Sequence, residues 1–517
     1  MKWTHALRAS LISLALLFAI FASSVMAAPV EKKSPPAVKP APEVTPPPVE
    51  GIPSPDDLRG RSANRKSRIS QMRQAKLMQK LVGLFRAKKY ADAKTVAMQL
   101  VRLDSKSGTH WYNLACAYSR LKKPTSALKC LRRAVDLGYD GIRHMEKDED
   151  LEPLREMKEF KDLVAMRDEI HRKRADRIED DLRQKYGEDY LIEVDHENKL
   201  VFATNIDRQT LNELKIQLTQ RAKAMWGGLF SNRFERYVTV IIPKAEKSKS
   251  MGRIGGFYNP KTSVLVARRL GMVMRHEFTH ALHFADIDGT QTMHPIWVAE
   301  GFATLYEGST IDADGKVTPG DSPRLHHLRP YLRRHKTGIL ERIMKLSHRD
   351  FMRNPGFHYA ASRFMMAYLH DTGKLKAWYD EFSGQFPDKD ATGKETWEKI
   401  YGKPIAAIEL DWRTWLGKQN APKMSVGANG PFMGVGTEED VDGLKIFRVI
   451  PDSSAAKAGL EVGDILVGMA GETVYDRMDM MAALVASKVG DTIDIRYRRG
   501  KDYIESKLTL MARPSAL

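Results

Sequence analysis

Cysteine is almost missing from this chain of 517 residues: only Cys116 and Cys130 occur. A disulfide framework and a cysteine-rich metal module are therefore excluded as the basis of the fold. Both cysteines fall in neighbouring segments predicted as helices, where they are expected as buried packing residues. Long apolar runs are scarce as well. Beyond Leu11 to Phe21 no stretch approaches the roughly twenty residues that a membrane helix needs. Aromatic residues are not interleaved through the basic stretch Arg61 to Lys88, and 65 acidic residues are spread among the 83 basic ones. The net charge of +18 thus reads as a solvated helical surface with loose attraction to acidic envelope polymers, and no nucleic-acid partner is expected.

What is present begins at the amino terminus. Lys2 and Arg8 flank a positive start, Leu11 to Phe21 form an apolar stretch, and Val25-Met26-Ala27 offers a small-residue cleavage site. Residues 1–27 read as a secretory signal peptide, with an uncleaved amino-terminal anchor as the alternative. Residues 28–56, from Pro29 through Pro55, are dense in proline and read as a stiff, unstructured linker. Export to the periplasm, the cell envelope or the medium is implied. About 460 residues remain, enough for roughly three domains of ordinary size.

The strongest pattern is His276-Glu277-Phe278-Thr279-His280, followed by Trp297-Val298-Ala299-Glu300-Gly301-Phe302-Ala303. On a helix, His276 and His280 project from one face about one turn apart and can grip a single ion. Glu277 lies beside that face, placed to take a proton from a water. Glu300, on a second predicted helix, is the natural third ligand, and two histidines plus one glutamate leave a fourth position open, the arrangement of a catalytic zinc site. The alternative is that these are polar groups satisfied on two packed helices.

Over residues 185–418 the chain resembles the gluzincins, the thermolysin-like and aminopeptidase-N-like zinc metallopeptidases. The resemblance implies one Zn2+ per chain held by His276, His280 and Glu300, with Glu277 as general base. It also points to an oxyanion-stabilising side chain on a later helix, for which Tyr359 is the first choice and His358 the second. For both, an aromatic ring packed on a helix is the competing account. Glu307, seven residues after Glu300, is either a hydrogen-bond partner of a ligand imidazole or a solvated charge. His283 shares the face of His276, so a ligand or supporting role stays open, and His294 precedes Trp297. The aminopeptidase-N-like members carry an amine-binding glutamate where this chain reads Gly255-Gly256-Phe257-Tyr258-Asn259. Its absence favours an endopeptidase. Thr262 to Ala267 is expected as the edge strand lining the cleft, to which an extended substrate adds by backbone hydrogen bonds.

Two further regions carry patterns. From 76 to 165, Trp111, Leu114, Ala115, Tyr118, Ala127, Leu131 and Ala134 match the spacing of large and small residues in a tetratricopeptide repeat. A first copy is expected from about Leu77 to Leu103 and a degenerate third from Asp148 to Met166, presenting a groove to protein partners or serving as a spacer. Residues 425–512 resemble a PDZ domain through Phe432-Met433-Gly434-Val435, Val449 to Leu460, and Val462-Gly463-Asp464-Ile465-Leu466. That resemblance implies that Phe432, Met433, Gly434 and Val435 bind peptide or protein carboxyl termini.

The expected architecture is therefore a multidomain α+β protein: a tetratricopeptide-like helical region over 57–170, a gluzincin-like domain of small sheet plus helical lobe over 171–420, and a β-rich PDZ domain over 425–512. The expected function is an exported zinc metalloendopeptidase acting on envelope or extracellular polypeptides. An idle scaffold that binds partners and an aminopeptidase are the alternatives.

Overall fold

A computed structural model describes residues 67–243, 255–287, 293–335, 337–422, 426–427 and 429–513. The segments expected as a signal peptide (1–27) and a proline-rich linker (28–56) lie outside the described residues. The described residues fall into two compact units, divided between Ile170 and His171.

In the first unit, helices α1 (Ser67–Arg86), α2 (Tyr90–Leu103), α3 (Gly108–Arg120) and α4 (Pro124–Asp136) pack in succession. Pro124 sits at the first turn of α4, where its missing N–H is not needed. The small-and-large pattern becomes the core: Ala93, Trp111, Leu114, Ala115, Tyr118, Ala127, Leu131 and Ala134 are all buried. Cys116 and Cys130 are buried free thiols. A short helix α5 (Ile142–Lys147) comes next, and the segment expected as a third repeat, Asp148 to Met166, holds a 3-10 turn (Glu149–Leu154) that contains Pro153 and the short α6 (Lys158–Ala165). Helix α7 (Arg167–Tyr186) carries the chain onward.

The second unit opens with a five-stranded sheet of order β1-β2-β3-β5-β4. Its strands are β1 (Leu191–Asp195), β2 (Leu200–Thr204), β3 (Val238–Ile242), β4 (Gly256–Asn259) and β5 (Val264–Ala267). Strands β2, β3 and β5 run parallel, and β2 and β3 are buried at every position, as continuous apolar runs covered on both faces must be. Helix α8 (Arg208–Gly228) connects β2 to β3, its first turn capped by Asp207, which accepts from the Thr210 N–H at 2.9 Å. The edge assignment made from sequence is corrected here. Residues 264–267 lie inside the sheet, and the edge is β4, which folds back antiparallel on β5. A short apolar run reads the same whether it is flanked by one strand or two, so the pattern could not separate them.

Helices α9 (Met272–Asp286) and α10 (Ile296–Tyr306) follow the sheet and pack on each other. After the short pair β6 (Thr310–Ile311) and β7 (Val317–Thr318), the lobe is helical. It consists of α11 (Leu325–Arg334), α12 (Ile339–Met344), α13 (His348–Phe351), α14 (Pro355–Asp371), α15 (Leu375–Gln385), α16 (Lys394–Tyr401) and α17 (Ile405–Lys418). One apolar core joins sheet and lobe through Phe202, Val240, Phe278, Trp297, Phe302 and Met366.

The carboxyl-terminal sheet has the order β14-β13-β11-β10-β9, with β12 paired to β11 and β15 paired to β8. Its strands are β8 (Pro431–Phe432), β9 (Val435–Glu439), β10 (Leu444–Val449), β11 (Ile465–Met469), β12 (Glu472–Thr473), β13 (Thr492–Arg499), β14 (Asp502–Thr509) and β15 (Met511–Ala512). Two helices complete it, α18 (Ser454–Lys457) and α19 (Arg477–Ala486), the latter started by a capping box from Asp476 and Asp479. No helix among the described residues is long and apolar enough to cross a membrane.

Trp297 fixes the position of α10. It is fully buried, and its indole N–H donates to the Thr392 carbonyl at 2.9 Å. Trp297→Ala should lower unfolding stability by about 3–5 kcal/mol, read from the denaturation midpoint; a change below about 1 kcal/mol would show that this packing is not what holds α10.

Candidate metal centre

Helix α9 brings the rings of His276 and His280 to a centroid separation of 5.0 Å. Helix α10 carries Glu300 between them, with Oε2 3.3 Å from His276 Nε2 and 3.4 Å from His280 Nε2. One nitrogen or oxygen of each residue lies within 4.8 Å of the others. The carboxylate oxygen at the focus is buried without a hydrogen bond. Two imidazole nitrogens and one unsatisfied carboxylate oxygen, converging in a nearly closed site, suit a borderline divalent cation such as zinc. The electrostatics agree with that fit. Burial opposes a charge on His276, but the Glu300 and Glu307 carboxylates and the nearby Glu277 prevail and lift its pKa to about 10. Glu300 is held well below the usual carboxylate range: burial pushes it up, and the two histidines overcome that.

Glu307, at the end of α10, is buried, which removes the solvated-charge alternative. Its Oε2 lies 3.1 Å from His276 Nδ1. Its other contacts come from arginines: Arg324 Nε donates to Oε1 at 2.6 Å and Nη2 to Oε2 at 2.9 Å, while Arg275 Nε donates to the Glu307 carbonyl at 2.6 Å. A carboxylate held ionised in this way keeps a proton on His276 Nδ1, so that Nε2 is the nitrogen that faces Glu300 and would face a cation held there. Arg324 had no signature in the sequence, since it stands in a turn before α11 with no motif around it.

Glu277 is buried against the edge strand. A Cβ added at Gly256 would lie 2.7 Å from the Val266 carbonyl oxygen and 2.9 Å from both Glu277 Cγ and Val273 Cγ1, so glycine there admits the strand pairing and the Glu277 side chain together. The Tyr258 backbone hydrogen-bonds its carboxylate, and burial raises its pKa, making it a better proton acceptor than a solvated glutamate.

Tyr359, on α14, faces the same space. Its ring centroid is 6.3 Å from that of His276, and the Arg324 guanidinium sits 5.5 Å over its ring. Burial, with Glu300 and Glu277 nearby, raises the phenol pKa far above its ordinary value, so it remains a hydrogen-bond donor. The second choice, His358, is turned away, its Nδ1 2.6 Å from the Phe351 carbonyl. His283 stays outside the cluster too. Its Nε2 lies 3.0 Å from His294 Nδ1, and its ring stacks on Phe230 at 5.7 Å.

The four residues singled out at the carboxyl-terminal domain form one tied loop. Gly434 has φ +85°, and a Cβ there would collide with Ser453 Cβ, so only glycine fits. Met433 O accepts from Ala455 N and Gly434 O from Ile450 N, each at 2.8 Å, and Ser454 Oγ donates to the Phe432 carbonyl at 2.9 Å. Val435 opens β9, which stands at the end of the sheet order.

Residues 431–510 match the PDZ domain family model, and this part of the chain is a PDZ domain. A chloroplastic protein of Arabidopsis thaliana is 40% identical over 58 residues, 11% of this chain and 17% of its own. Serine protease HTRA1 of Xenopus tropicalis is 37% identical over 71 residues, 14% of this chain and 15% of its own. The chain thus spans less than a fifth of the length of these curated relatives. Among solved structures, an aminopeptidase N family protein from Idiomarina loihiensis is similar over 63% of this chain and 67% of its own, at 13% identity and a TM-score of 0.29.

Arg324→Met removes both side-chain hydrogen bonds from Arg324 to Glu307 and should weaken zinc binding by about 10–100-fold in a chelator competition; unchanged affinity would make the Arg324–Glu307 pair purely structural. Gly256→Ala should displace Glu277, cutting kcat by at least about tenfold while zinc affinity holds; equal losses in both would mean that the whole site had shifted.

Proposed function

We propose that this protein is an exported, zinc-dependent metalloendopeptidase. The observation that carries the proposal is the convergence of His276, His280 and Glu300 on one buried point, with Glu277 pinned between that point and the sheet edge. Zinc held by the three residues supplies Lewis acidity, lowering the pKa of water toward about 7 and polarising a carbonyl. The chain's own residues do the rest. Glu277 takes a proton from the attacking water and hands it to the leaving amine. Tyr359, protonated, donates a hydrogen bond to the oxyanion that develops on the scissile carbonyl. Glu307 holds the His276 tautomer throughout. The backbone of β4 pairs with the extended substrate and fixes its register.

The endopeptidase reading rests on β4 itself, whose Gly256-Phe257-Tyr258-Asn259 carries no carboxylate to bind a free amino terminus. The PDZ domain takes carboxyl termini at the Met433–Val435 loop, and the similarity to a serine protease supports its pairing with proteolysis. The first unit acts as a tetratricopeptide-like surface for protein partners, and the substrates are envelope or extracellular polypeptides.

The test is cleavage of amino-blocked, quenched peptides by the parent and by Glu277→Gln. Cleavage by the parent and a loss of about 10²–10⁴-fold in the variant, with one zinc retained in each, is the expected outcome. Cleavage lost on amino-blocking would make it an aminopeptidase, and stoichiometric zinc without cleavage would make it a scaffold.

A further inference from the structure

The PDZ domain is fixed on the catalytic lobe by a cluster of contacts around residues 269–275 and by a second set at α8. Tyr475, at the start of the groove-lining helix α19, is buried in the core of the lobe and packs against Gly271, the residue before α9. Glu439, the last residue of β9, pairs with Arg269, and the Val441 carbonyl accepts from the Leu270 N–H at 3.0 Å. Asp479 of α19 lies 3.9 Å from Arg275. Away from this point, Arg496 binds Glu213 through two hydrogen bonds of 3.0 and 2.9 Å, and Tyr503 donates to Asp207 at 2.8 Å.

Both walls of the PDZ groove, β9 and α19, therefore end on residues 269–275, the link between the catalytic sheet and the metal-binding helix. The opposite end is the Gly434 loop, flanked by cations: Arg513 lies 6.0 Å from the Phe432 ring, and Lys457 Nζ is 3.6 Å from the sulfur of Met511, which pairs with Phe432. The wall between is open and apolar, with Met478 and Met481 partly exposed and Val485 37% exposed along one face of α19. A chain whose terminal carboxylate sits at the cationic loop and which adds antiparallel to β9 leaves the groove beside Arg269. It then meets the start of β4, because the Gly255 carbonyl accepts from the Arg268 N–H at 3.0 Å and Gly256 pairs with Ala267. Continuing without reversal, it runs antiparallel along β4, past Glu277.

We infer that the PDZ groove and strand β4 form one continuous track, so that the protein selects polypeptides by a free carboxyl terminus with an apolar last residue and cuts them at a set distance upstream. This rests on the peptidase proposal above and names its substrate class. Strand β9 alone is five residues long, about 17 Å of extended chain, so the bond cut lies more than five residues from the terminus. The bond cut is an ordinary peptide bond: water adds hydroxyl to the carbonyl carbon and a proton to the amine, releasing a short tail peptide.

The experiment compares two quenched peptides of about sixteen residues, long enough to reach from the loop past β4. They are identical in sequence and end in valine, one as the free acid and one as the carboxamide. The free acid should show kcat/KM at least about tenfold higher, through KM, because the tethered tail raises the local concentration of the scissile bond. Mass spectrometry should find its cut at one position, more than five residues from the end. Val485→Glu should abolish the difference by raising KM for the free acid to that of the carboxamide. Arg496→Glu should retain binding of a labelled tail peptide yet lose the advantage, and adding Glu213→Arg should restore it. Equal rates and equal cut sites for both peptides would overturn the track while leaving the peptidase reading intact. Stimulation of carboxamide cleavage by a separate tail peptide would overturn it in favour of regulation in trans. Cleavage of neither would overturn the peptidase reading and the track with it.

Discussion

The buried carboxylate of Glu307 is the constraint on which the site depends. An ionised group this deep is tolerated only when hydrogen bonds and opposite charge replace the water it has lost. Here Arg324 covers one side of it and His276 the other. That single arrangement joins the end of α10, the turn before α11 and the middle of α9. It aims His276 Nε2 at Glu300, so two helices and a turn from separate parts of the chain agree on one point in space. Burial and attraction work against each other at each of these groups. Attraction wins, and a site that lifts the His276 pKa to about 10 is one that seeks a positive charge.

The rest of the lobe serves this point from two sides. The edge strand supplies the missing side chain at Gly256 that lets Glu277 lie flat, and the Tyr258 backbone that orients it. Helix α14 supplies Tyr359 over the Arg324 guanidinium, so the cation that secures Glu307 also positions the phenol. The PDZ domain is held by a tyrosine sunk in the lobe's own core rather than hanging from a linker. Its groove consequently has a fixed direction with respect to α9, the helix of His276 and His280.

How much of this the amino-acid sequence disclosed follows from the range of the forces involved. The spacing of His276, Glu277 and His280 was legible because helical periodicity turns three or four residues of separation into one face. Glu300 was singled out by its place on a second predicted helix, with nineteen residues between it and His280, and by the family resemblance, and the burial of Ala93, Trp111 and Leu131 followed from the alternation of large and small residues. The Gly434 loop was legible because positive φ and close approach leave a glycine where other residues fail. What escaped was decided by long-range contact. Arg324 reaches Glu307 from seventeen positions away. His358 and Tyr359 are adjacent in sequence, and only the packing of α14 decides which one faces the histidines. The edge strand was misplaced by one, because pairing partners are not written in a run of apolar residues. The docking of Tyr475 belongs to two surfaces at once and has no local pattern.

The central claim is that His276, His280 and Glu300 hold one zinc ion. X-ray absorption at the zinc edge of the purified protein tests it most directly. One zinc per chain is expected, with two imidazole nitrogens at about 2.0–2.1 Å and carboxylate oxygen at about 2.0–2.2 Å, and loss of one imidazole contribution in His280→Ala. Sulfur scatterers, a signal unchanged by that substitution, or no stoichiometric metal would contradict it.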